Sequence, residues 1–339
     1  MNHNQLPGNQ APYKLDAGEG LRYAFGGHLA TVIARHEDLG IPMAGAILTG
    51  AKGATFPVHR HARTHEAFIV VEGVVSLILG ERTFQLFPGD YVNIPPGTPH
   101  GWSYLDYHGK LYGWTFSGNA NEIYERIGEP FAAKVYREST EEPDWGKVDG
   151  AVDTEFLRGH SSRSGYAEKL NMLPEGNVPY VLAAGEGERL LAADQLFTFL
   201  GDQRHTGGVF MTIMNEGAAG DAIPPHYHEH VTETFFCITG ALKMFVDGEY
   251  VTLYSGDYLH VPPKAVHSYQ IVRNDTRFLG YLSPGFFDSF FRYLGVPYEG
   301  YIYPPVPPPF DFSRVLQHLG ELDLKLMGKP GAPPAQGRG

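Results

Sequence analysis

Short apolar runs, each ended by glycine, proline or charged residues, fill two stretches of this chain. In the first, EAFIVV, VVSLIL, TFQLF and YVNI are separated by Glu72-Gly73, Gly80-Glu81-Arg82 and Pro88-Gly89-Asp90, with PPGTPH following. In the second, ETFFCI, ALKMFV, EYVTLY and YLHV are separated by Thr239-Gly240, Asp247-Gly248 and Ser255-Gly256-Asp257, with PPKAVH following. Strands this short, joined by such tight turns, predict an antiparallel barrel or sandwich. NANEIYERIG and FFDSFFRYLG come next at matching positions. Each predicts one short helix on the outside of its barrel or across its end.

The two stretches are copies. His59, His61, Glu66 and His100 recur as His226, His228, Glu233 and His267, each 167 positions later. Gly53, Gly73, Gly89, Gly113, Gly118 and Gly128 recur at the same offset, and Leu29 and Thr31 extend the register upstream. A duplicated domain follows, each copy of ordinary domain size. The reading divides the chain into a domain over 1–145, a polar linker over 146–175, a second domain over 176–305 and a Pro-rich tail over 306–339. In that tail SRVLQHLGELDLKLM predicts one amphipathic helix, and GKPGAPPAQGRG is expected to be disordered.

Composition narrows the function classes without choosing among them. With 26 Lys and Arg against 38 Asp and Glu, the net charge is -12 and no basic run exists, which argues against nucleic acid and anionic membrane as partners. The first twenty residues lack a basic start followed by an apolar run, and the apolar stretch around Val70 is broken by Glu72, Gly73 and Ser76. A cytoplasmic protein that does not span the membrane is therefore expected, and a homodimer is compatible with it. The single cysteine, Cys237, excludes an intrachain disulfide and a thiolate zinc site, and reads as a small core residue.

The repeated residues have ligand chemistry. Two imidazoles separated by Arg60 share one face of a strand, while the odd step of five from His61 to Glu66 requires a turn between two strands. His100 returns from a later strand, so three imidazoles and a carboxylate converge in each copy. Nitrogen and hard oxygen donors without thiolate suit Fe, Mn, Co, Ni or Cu(II) as well as zinc, leaving coordination positions for a substrate. Two divalent transition-metal ions per chain are expected. Phe68, Phe235, Trp102 and Tyr269 each lie two residues beyond a ligand and should face inward, where packing is the ordinary role.

Gly53-(five)-His59-x-His61-(four)-Glu66-(six)-Gly73 resembles the first cupin motif, and the spacing is identical from Gly220 to Gly240. Gly89, Pro95, Pro96, Gly97 and His100 resemble the second, although Tyr104 and Ile271 stand where Asn is usual and Lys264 where Gly is. The chain thus resembles the bicupins: all-β, two tandem jelly-roll β-barrel domains with a few short helices. HEAF, VTETFFC and the segment from Pro284 to Gly295 make it most similar to the quercetin 2,3-dioxygenases, which cleave flavonols.

That resemblance implies that a flavonol 3-hydroxyl binds the metal, that Glu66 or Glu233 accepts its proton, and that dioxygen opens the ring with loss of carbon monoxide. It also assigns Phe68 and Trp102, with Tyr23 beside them, to hold the flat substrate, and Phe235 and Tyr269 to the second copy. Oxalate decarboxylases carry an Arg three positions before the histidine pair, where this chain has Phe56 and Ile223. Gentisate-type dioxygenases lack the glutamate kept here twice, and storage cupins commonly lack the ligands altogether.

Overall fold

The computed structural model describes residues 1–327 apart from Thr140, Asp149 and Pro307; the segment 328–339, expected to be disordered, lies outside the described residues. The chain divides into two compact units, one formed by Glu19–Glu186 and the other by Met1–Gly18 together with the chain from Gly187 onward.

In the first unit an eight-stranded sheet contains His65–Glu72 between Gly109–Phe116 and Tyr91–Ile94, and a five-stranded sheet contains His100–Tyr104 between Thr55–Arg60 and Val75–Leu79. The second unit repeats this with Thr232–Thr239 between Thr276–Ser283 and Tyr258–Val261, and with His267–Ile271 between His226–Tyr227 and Ala241–Val246. Side chains from both sheets fill a core in each unit: Phe68, Val70, Leu77 and Trp102 in the first, Phe235, Cys237, Leu242 and Met244 in the second. Each unit is therefore a jelly roll of two sheets rather than a closed barrel. Burying side chains of this size contributes roughly 1.5–3 kcal/mol apiece, which is what holds the sheets together.

The pattern along the strands explains their placement. Val75, Leu77 and Leu79 are buried while Ser76 and Ile78 between them are only partly covered, the alternation of a strand with one face on the core. Ala241–Val246 and Glu249–Tyr254 are joined by Asp247 and Gly248, both at positive φ, the geometry that two-residue hairpins need. Short helices form at Ile123–Ile127 and Asp288–Leu294, each preceded by a 3-10 turn.

Two connections differ from a simple tandem arrangement. Tyr13–Leu15, which precedes the first repeat, pairs with Tyr258–Val261 in the second unit, and Tyr180–Leu182 pairs with Tyr91–Ile94 in the first. Tyr13 and Tyr180 are themselves 167 apart, so each copy gives its leading strand to the other copy's sheet. In the stretch read as a linker, Glu155–Phe156 pairs with Thr55–Arg60. In the tail the helix covers only Ser313–Gln317; beyond Gly320, a poor helix former, Leu322 and Leu324 are both buried at strand-like spacing and Lys325–Leu326 pairs with His226–Tyr227. Among the described residues no helix is long and apolar enough to cross a membrane.

Candidate metal centres

Antiparallel register puts His59 directly opposite His100, and His226 directly opposite His267, with ring centroids 4.1 Å and 4.3 Å apart. His61 lies just past the end of Thr55–Arg60, and the turn through Thr64 carries the chain to His65–Glu72, which presents Glu66. In each unit the four donor atoms lie within 4.8 Å of one another, and all eight residues are buried. Glu66 Oε2 is 3.0 Å from His100 Nε2 and 3.2 Å from His61 Nε2. Glu233 Oε2 is 2.9 Å from His267 Nε2 and 3.7 Å from His228 Nε2, so the buried His228 Nε2 has no hydrogen-bond partner among the described residues.

The outer ring nitrogens decide what the inner ones can do. All six Nδ1 atoms face main-chain oxygens, of Pro57, Asp153 and Thr98 in the first unit and of Pro224, Asp323 and Ala265 in the second. A carbonyl only accepts, so each Nδ1 carries a proton, and a ring with no second proton turns an Nε2 lone pair on the centre. Burial, with the neighbouring rings adding to it, holds His59 and His226 well below the usual histidine range, which keeps them neutral. Burial pushes the Glu66 and Glu233 carboxyls up; positive charge at the facing Nε2 positions of His100 and His61, or of His228 and His267, outweighs it and holds both below the ordinary carboxylate value, the role a cation fills when those rings present lone pairs. Three lone pairs and a carboxylate packed this closely repel one another unless a cation lies among them. The donors fit a divalent transition-metal ion in each unit.

Asp153 and Asp323 went unnoticed in the sequence. The Asp153 carboxylate accepts the N–H groups of Ala62, Arg63 and Thr64, and the Asp323 carboxylate those of Glu229, His230 and Val231. Each thereby fixes the turn between the second histidine and the glutamate, while its main-chain oxygen orients that histidine. They lie 170 positions apart rather than 167, so the repeat register passes over them.

The second unit also holds a cavity against His226, Glu233 and His267, walled mainly by Phe197, Phe235, Phe287, Phe291, Phe312 and Ile223. Tyr269 and Gln195 line it as well. The Tyr269 hydroxyl donates to Gln195 Oε1 at 2.7 Å, and Asn215 Nδ2 donates to both, at 2.9 Å and 2.8 Å. Burial, with Glu233 nearby, pushes the Tyr269 hydroxyl up, so it stays a neutral donor. In the first unit Trp102 stacks on Phe56 at 4.5 Å, Phe68 lies 6.0 Å from Trp102, and Tyr23 packs against the same core. Burial also pushes the Cys237 thiol up to about 12, consistent with an inert core residue.

The cupin domain family matches residues 46–105 and 214–279. A quercetin 2,3-dioxygenase of Bacillus subtilis is 41% identical over 329 residues, 96% of this chain and 98% of that protein. The chain is a bicupin of the quercetin 2,3-dioxygenase family. A second relative of that name, from Aspergillus japonicus, is 32% identical over 130 residues, 36% of this chain and 37% of its own. Among solved structures, a single-residue variant of an oxalate decarboxylase from Bacillus subtilis aligns with TM-score 0.52 and 16% identity, over 80% of this bicupin and 76% of that chain. A putative glyoxylate-induced protein from Pseudomonas aeruginosa aligns with TM-score 0.52 and 15% identity, over 76% and 81%. Those two likenesses establish the fold. Identity along the whole chain makes this bicupin a metal-dependent dioxygenase with two divalent metal ions.

Proposed function

We propose that this bicupin opens the heterocyclic ring of a flavonol such as quercetin with dioxygen, releasing the depside and carbon monoxide. The observation that carries the reading is the cavity beside His226, Glu233 and His267, whose walls are aromatic and aliphatic. Apart from the proposed ligands, its one charged lining residue is Asp194, which burial pushes up from the ordinary aspartate value. Such a pocket suits a planar aromatic molecule carrying few polar groups.

A divalent ion held by His226, His228, Glu233 and His267 would bind the flavonol 3-oxygen and lower the pKa of its hydroxyl. Glu233 is the base in this scheme: its carboxylate borders the cavity and is ionised throughout the neutral range. Phe235 and Tyr269 flank the substrate, and the network of Tyr269, Gln195 and Asn215 orients a substrate oxygen. The aromatic walls leave few protein groups to hydrogen-bond the flavonolate. Dioxygen then bridges C2 and C4; both of its atoms stay in the depside and C3 departs as carbon monoxide. Glu66 and its three histidines offer the same donors in the first unit, where Phe68, Trp102 and Tyr23 belong to the packed core.

Oxalate is the alternative the fold raises. A small dianion needs a cation, yet the cavity offers no lysine or arginine among its lining residues and offers Asp194 instead. Metal-loaded protein supplied separately with quercetin and with oxalate should bleach the flavonol absorbance and leave oxalate intact. Oxalate consumption with quercetin untouched would reverse the assignment.

A further inference from the structure

The two centres share their donors but not their walls. In the first unit the Phe56 ring lies 4.9 Å from that of His59 and stacks on Trp102 at 4.5 Å, while Trp145 meets Phe56 at 5.0 Å and Phe25 meets it at 6.5 Å. Phe25, Phe56 and Trp102 are buried in one continuous core with Trp145 packed against it. At the repeat offset Phe25 becomes Ala192, Phe56 becomes Ile223, Trp102 becomes Tyr269 and Trp145 becomes Phe312. Every replacement is smaller, and all four replacements line the cavity beside His226.

The polar network follows the same division. Gln195 and Asn215, which hold the Tyr269 hydroxyl, correspond to His28 and Leu48. His28 instead stacks on Phe25 at 5.0 Å, and burial depresses it to about 4, so it serves the packing of the first unit as a neutral ring. Gln195 accepts two hydrogen bonds through Oε1, leaving its amide protons for a ligand oxygen in the cavity it lines.

We infer that only the second centre admits an aromatic substrate, and that Phe25, Phe56 and Trp145 plug the first, which holds its metal closed to ligands of that size. The inference rests on the cavity being the substrate site. A core of buried, mutually contacting rings does not open for a bicyclic ring without displacing side chains. Phe25 and Phe56 on one side, Ala192 and Ile223 on the other, are thus specificity-determining positions. Both copies keep the donors, while the aromatic-walled cavity lies beside the second set.

The test is an anaerobic titration of metal-loaded protein with 4-nitrocatechol, a planar chelator whose absorbance shifts when it binds a metal, alongside measured metal content. One equivalent per chain is expected with two metal ions present. Ala192→Phe and Ile223→Phe, which copy the first unit into the second, should each weaken that binding by at least about tenfold without loss of metal. Phe25→Ala combined with Phe56→Ile should open the first unit and raise the count to two equivalents. Two equivalents in the unaltered protein, or one that survives both cavity-filling variants, would overturn the inference. If quercetin is not consumed while nitrocatechol still binds once and Ala192→Phe abolishes it, the flavonol reading falls and the inequality of the centres stands.

Discussion

Asp323 accepts the Nδ1 proton of His228 on its main-chain oxygen at 2.5 Å, from a segment that reaches the centre only after the jelly roll is complete. Its carboxylate simultaneously gathers the three N–H groups of residues 229–231. Ligand and turn are thus fixed by one residue. Replacing Asp323 with Ala leaves those N–H groups without their acceptor and frees the segment. Metal affinity at the second centre should fall about 10- to 100-fold, so a chelator challenge followed by metal analysis should reduce two ions per chain toward one. Asp323→Asn, which keeps an acceptor oxygen, should retain more metal. Unchanged retention in Asp323→Ala would show that His228 needs no such support.

The exchanged leading strands give a second prediction. Tyr13 and Leu15 are buried in the second unit, and Asp257 anchors their strand by accepting the Ala17 N–H at 2.9 Å and pairing with Lys14 at 3.2 Å. Asp90 does the same for the other exchanged segment, accepting the Ala184 N–H at 2.9 Å. Deleting residues 1–18 should therefore destabilise the second unit by roughly 3–6 kcal/mol, the value of two large buried side chains. Hydrogen exchange would show protection lost along Tyr258–Val261 and kept along Tyr91–Ile94.

His28 makes the first unit acid-sensitive. Burial depresses its folded value to about 4 from the ordinary 6.5. Above pH 6.5 the ring is neutral in both states; as the pH falls toward 4 the unfolded ring takes up a proton that the folded ring refuses. The stability lost over that window is about 3 kcal/mol. His28→Gln, the residue found in the other copy, should remove this contribution. Urea midpoints of metal-free protein at about pH 7 and about pH 4 should fall less in the variant than in the parent.

How far the sequence led depended on what each feature rests upon. The grouping of His59, His61, Glu66 and His100 was legible because these residues recur at one offset and a cation needs those residue types together. The short strands of each copy followed from apolar runs broken by turn residues. Lys264, where the motif expects glycine, still adopts the left-handed conformation at φ 70, and its N–H bonds to His228 O as Gly97 bonds to His61 O, so the departure does not alter the turn. Asp153 and Asp323 were hidden because an insertion shifts their register, and because they act partly through the main chain, which any residue possesses. The strand exchange is a long-range pairing with no local signature. The cavity depends on which of two homologous walls is filled, and Phe56 against Ile223 looks like a trivial change until the rings around them are placed.

The reading of this bicupin as a flavonol dioxygenase is tested most directly by measuring carbon monoxide against quercetin consumed under air, with metal-loaded parent protein and with Glu233→Gln. One carbon monoxide per quercetin in the parent is expected, with turnover in the variant lower by about 10²-fold or more. Quercetin lost without carbon monoxide, or not lost at all, would contradict it.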